Sequence, residues 1–272
     1  MKTCRLLTLL CALGIGHTAQ AMDVYIVAGQ SNGYRISSLR AGKQPIPNGK
    51  RIFYYGMNCT SEPNRSQFTV FTSLDPAVMG TTLALELVEQ SNDDIVFIQY
   101  CRCGSGIWNT TIKGWYPGDD PAKGQVFDDG LFGLFKQYTA DAKRQLKDTY
   151  KQTWEVKGLF WHQGESDSNG THHLQYQKNL GNLLWRFRHE LGVDLPIVCG
   201  EIRELTEEDR KINAILAQVA AADPLTALAK GADLEFGPDR DYGPDVHYTH
   251  KGCADLSERM AAQMAQLQAT KK

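Results

Sequence analysis

Short apolar runs alternate with longer amphipathic stretches along most of the chain. Residues 24–29, Val-Tyr-Ile-Val-Ala-Gly, are rich in β-branched and aromatic side chains and read as a strand buried on both faces. Comparable runs recur at 51–55, 95–100, 156–161, 195–200 and 225–229. Helical patterns lie between them. Residues 80–90 form one. Asp128-Asp129 opens a second, in which Leu131, Leu134, Phe135, Tyr138, Ala142 and Leu146 repeat at helical spacing and define one buried face. Residues 174–191 place Leu180, Leu183, Leu184 and Phe187 inward, Thr206-Glu-Glu-Asp opens a helix to 222, and a last helix from Tyr248 carries Ala254, Leu256, Met260 and Met264. Residues 36–49 and 58–73 are loop-like in composition. Strand and helix alternating over the whole length predict an α/β fold, a parallel sheet covered by helices on both faces. No repeat, low-complexity tract or linker divides it.

The start of the chain departs from this pattern. Lys2 and Arg5 precede an apolar run at 6–16, and Ala19-Gln20-Ala21 has the small-x-small form of a cleavage site. A secretory signal peptide over 1–21 is expected. The run is shorter than the ~20 residues of a membrane span, and Cys11 follows Leu9-Leu10 rather than the small residue of a lipoprotein site. The mature domain, 22–272, has about 250 residues, enough for one α/β domain with a sizeable core. It has no second apolar stretch of spanning length, so no membrane association is expected after cleavage.

Composition narrows the function. The formal net charge is -2, with 22% charged residues and no basic stripe, which argues against nucleic acid as a partner. Cys4 and Cys11 belong to the leader; Cys59, Cys101, Cys103, Cys199 and Cys253 remain. An exported protein can form disulfides. An odd number leaves at least one cysteine outside any intrachain bridge, and the sequence does not fix the pairing. Cys101-x-Cys103 lacks the partner pair of a zinc site, and there is no His-Glu-x-x-His, so no metal is expected. Asn-x-Ser/Thr sequons occur at Asn58, Asn64, Asn109 and Asn169 and matter only in a glycosylating host.

Chemistry gathers where apolar runs stop. The first run ends in Gly29-Gln30-Ser31-Asn32-Gly33, the third in Cys103-Gly104-Ser105, and the fourth in His162-Gln163-Gly164-Glu165-Ser166-Asp167. Parallel strands bring such ends to one edge, the ligand-binding edge of open α/β sheets. Ser31 then reads as a nucleophile on a turn fixed by the core behind it. A further polar cluster, Asp245-Val246-His247, precedes the last helix. The chain order Ser, Glu, His is compatible with an acyl-transfer triad. Trp108, Trp115 and Tyr116 lie in a Gly- and Pro-containing loop after the third run, where aromatic faces either stack on sugar rings or pack the loop. His162 is expected to be a structural hydrogen-bonding residue, and Asn32 to brace the nucleophile turn or merely to tolerate its conformation.

Gly-Gln-Ser-Asn at 29–32, His-Gln-Gly-Glu-Ser-Asp at 162–167 and a late Asp-x-His followed by Gly252 resemble the sialate O-acetylesterase-like branch of the SGNH hydrolases, which includes the acetylxylan esterases of carbohydrate esterase family six. The resemblance spans roughly 24–252. It implies a flavodoxin-like three-layer α/β/α sandwich with a five-stranded parallel sheet, and removal of acetyl groups from sugar hydroxyls. Ser31 matches the nucleophile and His247 its base. The Ser31 and Gly104 backbone N–H groups and the Gln163 amide match the oxyanion donors. The orienting carboxylate is either Glu165, which is favoured, or Asp245, since Pro244 stands where the family often has an acid. Trp108 and Trp115 are candidate substrate contacts. No cofactor is needed, because serine, histidine and carboxylate supply the mechanism. A general small-ester or lipid esterase and a non-catalytic carbohydrate-binding protein are the alternatives. The particular acetylated sugar and the oligomeric state stay open.

Overall fold

The computed structural model describes residues 21–57, 59, 66–75, 81–237 and 246–270. The expected leader falls almost wholly outside them. Nine strands alternate with six helices among these residues: β1 (Met22–Gly29), α1 (Ser31–Ser37), β2 (Ala41–Pro45), β3 (Ile52–Gly56), β4 (Thr69–Phe71), β5 (Ser73–Leu74), α2 (Thr81–Gln90), β6 (Ile95–Cys101), α3 (Leu131–Tyr150), β7 (Trp154–His162), α4 (His173–Leu191), β8 (Ile197–Gly200), α5 (Glu207–Ala222), β9 (Thr226–Ala229) and α6 (His250–Ala269).

The main sheet has seven strands in the order β4-β3-β6-β1-β7-β8-β9, and β2 and β5 make a separate two-stranded ribbon. Every pairing in the main sheet is parallel except β3 with β4. The sheet is therefore wider than the five strands implied by the resemblance. The short antiparallel strand β4 closes one edge, and β9 extends the other. The loop-like tracts hold more structure than their composition suggests: α1 runs through Ser37, and β2, β4 and β5 lie in or near them.

The sandwich follows from the two-residue period of β1. Val24, Ile26 and Ala28 point to one face, where they meet Phe135, Ala142 and Leu146 of α3, Leu180, Leu183 and Phe187 of α4, and Ile212 and Leu216 of α5. Tyr25 and Val27 point to the other, against Ile36 of α1, Leu83 and Leu87 of α2, and Leu256, Met260 and Met264 of α6. Both faces being covered explains why β1 and β6 are almost continuously apolar. Thr206 caps α5 in a reciprocal box with Asp209, matching the Thr-Glu-Glu-Asp signal. Among the described residues no helix is long and apolar enough to cross a membrane.

Candidate active site

The register of β1 sets the site. Gly29 stands opposite Cys101 of β6 and His162 of β7, so three strands end level with one another. Gln30-Ser31, Arg102 to Gly104 and Gln163 to Glu165 all begin beyond that common edge. Gly29 is required by a close approach: at φ +144°, a Cβ there would lie 2.0 Å from the His162 carbonyl oxygen. That carbonyl accepts from the Gln30 N–H at 3.0 Å, and the Gly29 carbonyl accepts from Arg102 N at 3.0 Å and Trp115 Nε1 at 3.2 Å. The Ser31 turn is thus tied to both neighbouring strand ends.

Ser31 is half-buried at the first position of α1, and the next residue, Asn32, is fully buried. Asn32 Nδ2 donates to Glu165 Oε1 at 2.6 Å and to the Val246 carbonyl at 3.2 Å, while its Oδ1 accepts from Tyr248 N at 3.3 Å. Val246 and Tyr248 flank His247, so one amide joins the Ser31 turn to Glu165 and to the histidine segment. Arg35 Nη2 adds a 2.8 Å bond to the Tyr248 carbonyl, and Tyr248 Oη donates to the Glu201 carbonyl at 2.8 Å. His247 is half-buried. Glu165 Oε2 is buried with no hydrogen-bond partner among the described residues. Asp245 lies outside the described residues.

His162 is fully buried, with Nε2 donating to the Glu201 carbonyl at 3.1 Å and Nδ1 3.9 Å from Glu165 Oε1. Burial pushes its pKa down, against the pull of Glu165. A neutral, hydrogen-bonded imidazole suits a structural role.

On the other side of the turn, Gly104 is exposed and left-handed at φ +67°, with open space around it. The preceding residue, Cys103, is disulfide-bonded to Cys59, and its N–H donates to the Cys59 carbonyl at 3.1 Å. Cys101, Cys199 and Cys253 are buried thiols. Gln163 departs from its expected orientation. Its amide is fully buried and Nε2 faces Asp167 Oδ2 at 2.5 Å, the Ser105 carbonyl at 3.1 Å and Gln30 Oε1 at 3.2 Å, rather than an open oxyanion position. Trp115 also departs. It is fully buried among Tyr100, Phe135, Trp161 and Phe187, with Nε1 donating to Gly29 O and Ser105 Oγ, so it supports the floor of the site and offers no face to a sugar. Trp108 is 38% exposed and stacks on His172 with centroids 3.9 Å apart and planes within 4°.

Sequence reasoning passed over Asp167, although it closes the His162-to-Asp167 motif. It is fully buried and accepts from Gln163 Nε2, Ile107 N at 3.0 Å and Trp108 N at 3.2 Å. Burial raises its pKa to about 7 despite these three donors.

The fold has counterparts among solved structures. A protein of Arabidopsis thaliana solved at 1.6 Å superposes with a TM-score of 0.61 at 15% identity, over 91% of this chain and 99% of that one. NanS superposes with a TM-score of 0.62 at 15% identity, over 93% and 99%. A carbohydrate acetylesterase from Xanthomonas citri gives 0.59 at 16% identity, over 92% of this chain and 57% of that one. No curated protein sequence matches the chain. The family model described as carbohydrate esterase, sialic acid-specific acetylesterase, matches residues 21–266. The chain belongs to that family, and with it to the carboxylic ester hydrolases.

Proposed function

We propose that this protein removes O-acetyl groups from carbohydrate through an acetyl-enzyme on Ser31, acting as an exported enzyme once residues 1–21 are cleaved. The observation that carries the reading is the Asn32 amide, which gathers the Ser31 turn, Glu165 and both neighbours of His247 at one sheet edge. Ser31 Oγ attacks the acetyl carbonyl carbon as His247 takes its proton. The tetrahedral oxyanion collapses, the bond to the sugar oxygen breaks, and His247 returns the proton to that oxygen. Water activated by His247 then releases acetate and restores Ser31.

Glu165 orients the His247 ring in this scheme, its Oε2 being the carboxylate oxygen left over after Asn32 engages Oε1; Asp245 is the alternative. The Ser31 N–H, in the first turn of α1 where amides lack a helical acceptor, and the Gly104 N–H serve as oxyanion donors. Gln163 supports them from behind, through the Ser105 carbonyl. The exposed Trp108 ring, backed by His172, is the sugar-stacking surface, and the substrate is a neutral or sialic-type acetylated glycan.

Acetate release from p-nitrophenyl acetate, acetylated xylan and O-acetylated sialic acid, each with Ser31→Ala alongside, tests this. Release that disappears with Ser31 supports the esterase reading, and the glycan turned over names the substrate. Ser31-dependent release from the aryl ester alone directs the search to other acetylated sugars. A folded protein with no Ser31-dependent release would turn the reading toward carbohydrate binding.

A further inference from the structure

We propose that Asp167 is a positioning residue for the oxyanion side of the site: it locks the 105–108 loop onto the turn after β7 and so fixes where the Gly104 N–H stands. The inference rests on the esterase reading above. The loop is held at successive peptides. Gln163 Nε2 takes the Ser105 carbonyl, Asp167 Oδ2 takes Ile107 N, Asp167 Oδ1 takes Trp108 N, and Asn179 Nδ2 donates to the Ile107 carbonyl at 3.3 Å. Asp167 also receives Gln163 Nε2, so the two side chains that grip the loop grip each other. The turn carrying Asp167 is itself closed by Asp167 N donating to the Gly164 carbonyl at 2.9 Å.

Two features assign this role to a carboxylate. First, both oxygens accept. Asparagine offers one acceptor, and its NH₂ would face the Trp108 N–H or the pair of Ile107 and Gln163 donors. Second, among the described residues no Lys or Arg pairs with Asp167, so backbone and amide N–H groups alone compensate its burial. The loop wraps the carboxylate closely: a Cβ on Gly106 would lie 3.0 Å from Asp167 Oδ2 and 2.6 Å from Trp108 Nε1. Gly104 precedes this clamped segment by one residue and follows the disulfide by one. Its amide is set from both sides, while its own surroundings are open.

The test compares Asp167→Asn with wild type on p-nitrophenyl acetate at pH 8, where Asp167 is ionised, with Arg188→Gln as a control that loses a pairing with Asp223 at the opposite end of the sheet. Asp167→Asn should lower kcat at least tenfold while KM stays within about threefold, the split expected when a transition-state donor is misplaced. Arg188→Gln should keep kcat within about threefold. A folded Asp167→Asn enzyme with kcat within threefold of wild type overturns the proposal. Hydrogen exchange on the wild-type protein tests the clamp whether or not the variant folds. Ile107 and Trp108 amides should exchange at least a hundredfold more slowly than unstructured amides, and exchange at the unstructured rate also overturns it. Ser31→Ala in the same assay separates the two readings, since activity indifferent to Ser31 defeats the esterase assignment and leaves the exchange result to judge the clamp.

Discussion

Asn32 donates to Glu165 at 2.6 Å and, through the same side-chain amide, holds the peptides on either side of His247. The Ser31 turn, the Glu165 carboxylate and the His247 segment are thereby spaced by one buried group. Removing it should separate them more than it unfolds the protein. Asn32→Ala is expected to reduce kcat by about a hundredfold, the scale of an ångström-level misplacement. Asn32→Asp should be worse at pH 8, because it sets a second carboxylate against Glu165 and removes the donor to Val246. Steady-state kinetics at pH 8 read this directly; equal activity of Asn32→Asp and wild type would leave Asn32 without a spacing role.

In the proposed mechanism either Glu165 or Asp245 orients the His247 ring. The engaged Oε1 and unpartnered, buried Oε2 of Glu165 favour it, since Asn32 would hold the carboxylate still and leave one oxygen to accept from the ring. Glu165→Gln is expected to retain its circular dichroism spectrum and lose most turnover, with Asp245→Asn milder. The reverse ranking reassigns the orienting acid.

The Cys59–Cys103 bridge spans 44 positions of sequence and ends beside Gly104. A loop of that length contributes about 4 kcal/mol in the chain-entropy model. In the proposed mechanism its position should also affect catalysis, because it fixes one end of the segment bearing the Gly104 N–H. Reduction, or the paired change Cys59→Ser with Cys103→Ser, should lower the denaturation midpoint and decrease kcat with little change in KM. Urea unfolding and p-nitrophenyl acetate kinetics, with and without dithiothreitol, check both. Unchanged kcat in a destabilised protein would restrict the bridge to stability.

Much of this architecture is readable from sequence because burial on both faces leaves a strong signal. β1 and β6 are apolar almost throughout, and α3 and α4 carry clean helical stripes. β2 and β5 leave little trace: they have five and two residues, and β2 is almost entirely exposed, so neither has the period that would announce a strand. Trp115 shows a different limit. Gly-Trp-Tyr-Pro-Gly reads the same for a surface loop and for one whose tryptophan turns under the sheet edge, and only packing against Tyr100, Trp161 and Phe187 decides it. The Ser31 and Glu165 motifs declare themselves locally. The reach of Asn32 to residues 246 and 248, over more than two hundred positions, is a property of the fold.

Asp167 gives the fold a pH signature. Its pKa rises from the ordinary aspartate value of 3.8 to about 7, first through burial, with Glu165 adding to the effect and the Gln163, Ile107 and Trp108 donors opposing it. Between those two values the folded chain holds a proton that the unfolded chain has released. Stability contributed by this group therefore declines as pH rises from about 4 to about 7, then levels off once both states are ionised. The decline should amount to a few kcal/mol. Asp167→Asn cannot titrate, so its stability should follow that of wild type minus this one slope. Urea midpoints at intervals from pH 4 to 8 measure the difference. The expected outcome is a wild-type curve that loses ground to the variant across that window and runs parallel to it above pH 8. Parallel curves throughout would mean that Asp167 stays ionised in the folded protein, held by its three N–H donors against the cost of burial.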